Sequence, residues 1–404
     1  MTEQLATAAI ADDRAARRNV FVLALAGAMV GSMPPINIAS GALAGNMLLG
    51  DNKSLATLPV TCFVLGTACG TVPAALLMRR IGRRPGFIIG MGVGALGGLT
   101  QATAVIVGSF VLLCVGTLLA GACGAFFQQF RFAAADTASE AFRPRAISLV
   151  LVGGIAAAVI GPQTVIFFAD AIPAAQFAGS YLAAVGLVLL AALVLLFLDI
   201  PKPAARQRTS GGRPLAEIAL RTEFLVAVGC ATSAYALMSF VMTAAPLAMV
   251  MHHHHRDAAI LGIQWHVLAM FGPSFSTGSL IARFGAHKVV ATGLALLVGC
   301  ALVALTGTSV GHFWLALILL GIGWNFGFIG GTTLVTRSYR PDEKEKVQAL
   351  NDFIVFGFVA LASLSAGGTL QIGGWDVVNA IVLPVALVCL AALFWQMSRR
   401  IRPV

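Results

Sequence analysis

Apolar runs of about twenty residues, separated by short polar and basic turns, recur along the whole chain. A bilayer core ~30 Å thick needs about 20 apolar residues to be crossed as a helix. By that measure twelve spans are predicted, near residues 20–45, 55–79, 86–107, 109–130, 146–168, 177–198, 223–249, 258–282, 289–308, 312–335, 348–369 and 377–398. In hydrocarbon every backbone N–H and C=O must find its partner within the segment, so these runs are expected as helices. The first run starts at Val20 and is too long for the apolar centre of a cleaved signal; it is the first span.

The basic residues agree with this map. Lysine and arginine collect on the cytoplasmic side of a membrane protein. With both termini in the cytoplasm, 24 of the 26 lie in the tails, the central loop, or the turns after spans 2, 4, 8 and 10; only Lys53 and Arg256 fall elsewhere. The longest polar stretch lies mid-chain and carries Pro, Gly, Ser and five basic residues, as a linker should. The expected organisation is a cytoplasmic tail (1–19), an N-terminal six-helix half (20–199), a cytoplasmic linker (200–222), a C-terminal six-helix half (223–398) and a second cytoplasmic tail (399–404).

Composition narrows the function classes. Hydrophobic residues make up 58% of the 404 and charged residues only 10%, against about 25% charged in a soluble domain. A soluble multidomain enzyme is excluded. The net charge of +10 would suggest nucleic acid in a soluble chain, but here it reports loop residues that set a topology, and no nucleic-acid partner is expected. The seven cysteines all sit in apolar stretches with no C-x-x-C pair, so neither a disulfide framework nor a thiolate zinc site is indicated. No P-loop, no G-x-S-x-G and no intramembrane carboxylate pair is present, so no enzyme is expected.

The two halves echo each other. Arg80-Ile-Gly82 after span 2 returns as Arg283-Phe-Gly285 after span 8. Phe142-Arg143-Pro144 after span 4 returns as Tyr339-Arg340-Pro341 after span 10. Such parallel echoes are what duplicated transporter halves produce. Twelve spans, a 6+6 repeat, a basic central loop and these turns resemble the major facilitator superfamily. The resemblance implies an all-α integral membrane fold with twelve transmembrane helices in two six-helix halves. Arg79 and Ala282 stand where that family usually has Asp, a departure from its turn motif.

By the same resemblance, spans 1, 4, 7 and 10 line a central cavity. All sixteen acidic residues fall in tails, loops or near span ends. The chain therefore lacks the mid-membrane carboxylate of a proton relay and the oxygen ligands that hard cations need. It has Met238 and Met242 on span 7, His266 and Met270 on span 8, and Met29 and Met33 on span 1. Residues four apart share a helix face. Thioether sulfur selects Cu(I) and imidazole also suits copper, while methionine equally fills gaps in apolar cores. Both uses stay open on spacing alone. His252, His253, His254 and His255, in the turn between spans 7 and 8, read as a metal-capture patch or as an ordinary polar loop. Cys230, two turns before Met238, is an inner relay ligand or a packed thiol. Pro34-Pro35 and Pro246 are expected to kink spans 1 and 7. Asn37, Gln128, Gln129 and Asn325 line the cavity or bond helix to helix.

M-x-x-x-M on span 7 followed by H-x-x-x-M on span 8, within Ile263-Gln-Trp-His-Val-Leu-Ala-Met-Phe271, resembles the CcoA-type bacterial copper importers of this superfamily. That resemblance implies Met238, Met242, His266 and Met270 as copper ligands. It further implies import of Cu(I) across the bacterial inner membrane by alternating access, and hand-off to a cytoplasmic copper chaperone or to assembly of cbb-class cytochrome oxidase. Copper would be cargo, with no prosthetic group, and the protein a monomer in the lipid bilayer. The alternative is a carrier or exporter of a small organic solute or drug, its methionine and aromatic side chains forming an adaptable apolar pocket. A third possibility is a membrane sensor or assembly factor that binds copper without moving it.

Overall fold

The computed structural model describes residues 2–136, 138–139, 142–200 and 212–401, and these are helical apart from short turns. The helices are α1 (Thr2–Val30), α2 (Met33–Leu48), α3 (Leu58–Ile81), α4 (Arg83–Val107), α5 (Phe110–Phe127), α6 (Phe130–Asp136), α7 (Arg143–Phe168), α8 (Ala178–Leu195), α9 (Leu215–Ala219), α10 (Thr222–Met251), α11 (Arg256–Phe271), α12 (Ser274–Phe284), α13 (Ala286–Thr306), α14 (Val310–Thr336) and α15 (Lys344–Ile401). Each of the twelve expected spans coincides with helix. Among the described residues nine segments are long and apolar enough to cross a membrane as they stand, and the bent pair α11–α12 makes a tenth. α15 holds two spans, because Gly374 breaks it at φ 70° and ψ −173°. That left-handed backbone is open to glycine and costly for a residue with a Cβ.

The ends and breaks of the spans have local causes. α1 begins at Thr2, so the polar stretch before Val20 is helical and continuous with the first span. Asn19 is buried and clips α1 to the end of α8: its Nδ2 donates to the Asp199 carbonyl at 2.7 Å and its Oδ1 accepts from the Asp199 N–H at 3.1 Å. The first span breaks at Gly31–Ser32, where Pro34 and Pro35 open α2, as the proline pair predicts. α10, by contrast, runs through Pro246 as one helix. The eighth span, expected as one run, bends by 42° between α11 and α12 at Gly272–Pro273. Proline has no N–H to continue the ladder.

The chain forms two compact units, Met1–Gly50 with Leu58–Arg206, and Asp51–Thr57 with Gln207–Val404. In the first, α5 packs on both α3 and α4, α4 on α8, and α1 on α7. The α3–α5 seam is set by glycine: a Cβ on Gly66 would lie 2.0 Å from the Leu118 carbonyl oxygen, and one on Gly121 2.0 Å from that of Phe63. Close backbone approach through small residues is the usual basis of helix association in lipid. In the second unit α10 packs on α15 and α14, and α13 on α14 and α15. Thr57 belongs here: its hydroxyl donates to the Ser363 carbonyl at 3.3 Å and accepts the Gly367 N–H at 3.1 Å.

The turn between α14 and α15 is held by one buried carboxylate. Glu343 Oε1 accepts the Arg213 N–H at 2.9 Å and its Nε–H at 2.8 Å, and Oε2 accepts Arg213 Nη2 at 2.7 Å and the Arg340 N–H at 2.9 Å. Lys346 Nζ donates to the Arg213 carbonyl at 2.5 Å. Arg213, the last basic residue of the linker before α9, is thereby fastened to the turn. The guanidinium, and then the two backbone N–H groups, hold the Glu343 carboxyl far below its ordinary value.

Gly121→Val should lower the melting temperature of the detergent-purified protein by several degrees, since a side chain there pushes against a carbonyl. Gly92→Ala, which meets nothing within 4 Å, should be neutral or slightly stabilising. Glu343→Gln should destabilise the protein at neutral pH by leaving Arg213 uncompensated. A carboxyl whose folded value is depressed contributes above its unfolded value and loses that contribution as pH falls. The gap between wild type and Glu343→Gln should therefore narrow below pH 4.5, read by thermal melts across that range.

Candidate functional site

Met238 and Met242 lie buried on α10, and His266 and Met270 buried on α11. His266 is wholly enclosed, with Nδ1 2.8 Å from the Leu317 carbonyl of α14. A carbonyl only accepts, so the ring carries its proton on Nδ1 and leaves Nε2 as the acceptor, which has no hydrogen-bond partner. Met29 and Met33 are not on one uninterrupted helix: the break at Gly31–Ser32 lies between them, with Met29 half-buried on α1 and Met33 buried at the start of α2. Cys230 is buried toward α15, its thiol 3.9 Å from the Cys389 carbonyl, while the Cys389 thiol donates to Ser233 Oγ at 3.1 Å.

The four histidines of the α10–α11 turn do not gather on one point, although the rings of His252 and His254 both lie near Phe313. His252 caps the end of α10 and His253 takes a positive φ of 61°. His254 places Nε2 2.5 Å from the Thr308 carbonyl and packs edge-on against Phe313. His255 caps α11, its Nδ1 accepting the Asp257 N–H at 3.3 Å. Among the described residues no group of three His, Cys, Asp or Glu side chains is placed to hold a metal ion.

Three of the four amides, Asn325, Asn37 and Gln129, bond to a neighbouring helix. Asn325 of α14 donates from Nδ2 to the Met270 carbonyl and to Ser274 Oγ, both at 2.7 Å, and its Oδ1 accepts from Thr277 at 2.5 Å. It thus spans the bend between α11 and α12 from both sides. In the first unit Gln101 donates to Asn37 Oδ1, and Asn37 Nδ2 donates to the Met33 carbonyl at 2.9 Å. Gln129 accepts from Arg83, whose guanidinium also pairs with Asp136 at 3.0 Å. Gln128 caps the end of α5 and is half-buried.

A further feature, in the second unit, is one the sequence reading does not single out. Tyr235 of α10 lies edge-on to Trp324 and Phe328 of α14, with ring centroids 5.4 and 4.9 Å away, and to Phe356 of α15 at 6.0 Å. Trp324 and Phe328 are nearly parallel, 17° apart at 5.5 Å, and Phe271 of α11 meets Trp324 edge-on at 6.2 Å. These are favoured aromatic geometries. Trp324 is buried, and the other four rings are half-buried. The legible signal was an aromatic pair at i and i+4 on span 10, with Tyr235 one turn before Met238 on span 7.

The Major Facilitator Superfamily model matches residues 19–277 and again 227–403. The riboflavin transporter RfnT of Brucella anthropi is 50% identical over 391 residues, which cover 96% of this chain and 98% of that protein. YdeG of Bacillus subtilis, an uncharacterized MFS-type transporter, is 31% identical over 88% of this chain and 85% of its own. The crystal structure of the nucleoside transporter NupG superposes with a TM-score of 0.70 over 92% of this chain and 99% of that one, at 14% identity, which shows the shared fold. These are transporters, not enzymes, and the all-α twelve-helix expectation stands with them. The copper expectation does not. A relative sharing half of all positions along nearly the whole chain is a riboflavin transporter, which overturns the reading of Cu(I) as cargo. The chaperone hand-off and the link to cytochrome oxidase assembly, which hung on copper, lose their support. The physical reason is that two four-residue spacings of Met and His are as compatible with packing as with ligation.

Proposed function

We propose that this chain, which belongs to the major facilitator superfamily, carries a small organic solute across the bacterial inner membrane, with riboflavin as its cargo. The observation that carries this is the 50% identity to RfnT over nearly both full lengths. The chemistry of the chain supports it. Riboflavin is uncharged at neutral pH, a flat heteroaromatic ring with a polyol chain, and no acidic residue sits mid-span to demand a cation. Met238, Met242 and Met270 then serve as adaptable apolar wall, a role that thioether side chains fill well. The two halves alternate access, as in other carriers built from repeats. The basic linker and even-numbered turns face the cytoplasm, which puts both termini there.

Expressed in a riboflavin auxotroph that lacks its own transporter, the chain should restore growth on low riboflavin and raise uptake of radiolabelled riboflavin several-fold over empty vector. Copper uptake in the same cells should equal the vector control. Riboflavin uptake no better than vector would sink the cargo assignment.

A further inference from the structure

Buried polar atoms in a folded protein almost always have a partner. Eight side-chain atoms among the described residues do not, and three of them lie in the aromatic cluster or one turn along its helices: Trp324 Nε1, Thr332 Oγ1 and Thr232 Oγ1. Trp324, Phe328 and Thr332 succeed one another at i, i+4 and i+8 on α14, which makes them one stripe. Thr232 precedes Tyr235 by one turn on α10, the helix that packs along α14. The indole is 8% exposed and its N–H can only donate. Packing accounts for the rings; the unpaired donor and two unpaired hydroxyls on the same two helices are groups that a polar ligand would satisfy.

We propose that this stripe is the platform for the flat head of the solute. The inference rests on the organic-solute reading above and names the residues that carry it out. The nearly parallel Trp324 and Phe328 rings stack on a planar heteroaromatic ring, with Tyr235 closing one edge. Trp324 Nε1–H donates to a carbonyl or ring nitrogen of that head. Thr332, and Thr232 on the neighbouring helix, supply hydroxyls to a polyhydroxy chain. The ligand class is an uncharged planar heteroaromatic compound bearing a polyol or sugar, because no ionised side chain belongs to the cluster. Nothing in it selects copper.

The test measures binding to the purified full-length protein in detergent, for riboflavin, for lumiflavin (the same ring without the polyol) and for adenosine. Phe328→Leu should weaken riboflavin and lumiflavin alike by about tenfold, the loss typical of removing one stacking surface. Trp324→Phe, which keeps a ring and deletes the N–H, should also weaken both, with an unchanged melting temperature. Thr332→Val should weaken riboflavin and spare lumiflavin. If Phe328→Leu and Trp324→Phe bind riboflavin as wild type does, the platform is wrong while the riboflavin carrier stands. If wild type binds adenosine but not riboflavin, with the same losses in the variants, the platform stands and the cargo is wrong. Wild type binding none of the three overturns both.

Discussion

A peptide group in hydrocarbon has no water to bond to, and every other feature of this protein is arranged around that fact. It forces each crossing to be helical. It also removes the hydrophobic drive that packs helices in water, since lipid is as apolar as leucine. What remains is close contact and hydrogen bonding between helices. The α3–α5 seam uses the first, with backbone atoms where a Cβ would sit at Gly66 and Gly121. The Asn325 junction uses the second, joining α14 to both α11 and α12.

Much of the architecture could be read from the chain because the bilayer imposes a length on every element. The twelve runs, the break before Pro34-Pro35 and the family all follow from hydropathy, proline position and the half-chain echoes. The departures lie where a local cause competes with a long apolar run. Pro273 bends the eighth span although the residues on either side are apolar enough to read as one crossing. The polar stretch before Val20, expected as a cytoplasmic tail, is helical from Thr2, because polarity does not oppose helix in a segment of good helix formers.

The site was harder to read, and for a different reason. Spacing within one helix tells which residues share a face, not what faces them. Met238 and Met242, or His266 and Met270, satisfy an i, i+4 rule that ligation and packing share equally. His266 turns out to spend Nδ1 on the Leu317 carbonyl. The Tyr235 cluster draws on α10, α11, α14 and α15, two helix pairs well separated in the chain, and single aromatic residues in apolar spans carry no mark of such convergence. The Trp324–Phe328 pair shows as an i, i+4 spacing, but with 25 phenylalanines in the sequence only the structure picks out Phe271 and Phe356 as its neighbours.

The bend at Gly272–Pro273 has a mechanical side. A proline break left to itself is a soft joint, because the ladder bond it removes is not replaced. Here Asn325 reaches the Met270 carbonyl, near the end of α11, with one N–H and a side chain at the start of α12 with the other, while Thr277 closes on it from the next turn. Bracing of this kind turns a joint into a rigid elbow. A push on α11 is passed to α12 at a fixed angle, and α14, which supplies the brace, moves with them. The stripe of Trp324 and Phe328 rides on that same helix, so any displacement of the elbow is delivered to it directly as a lever would deliver it.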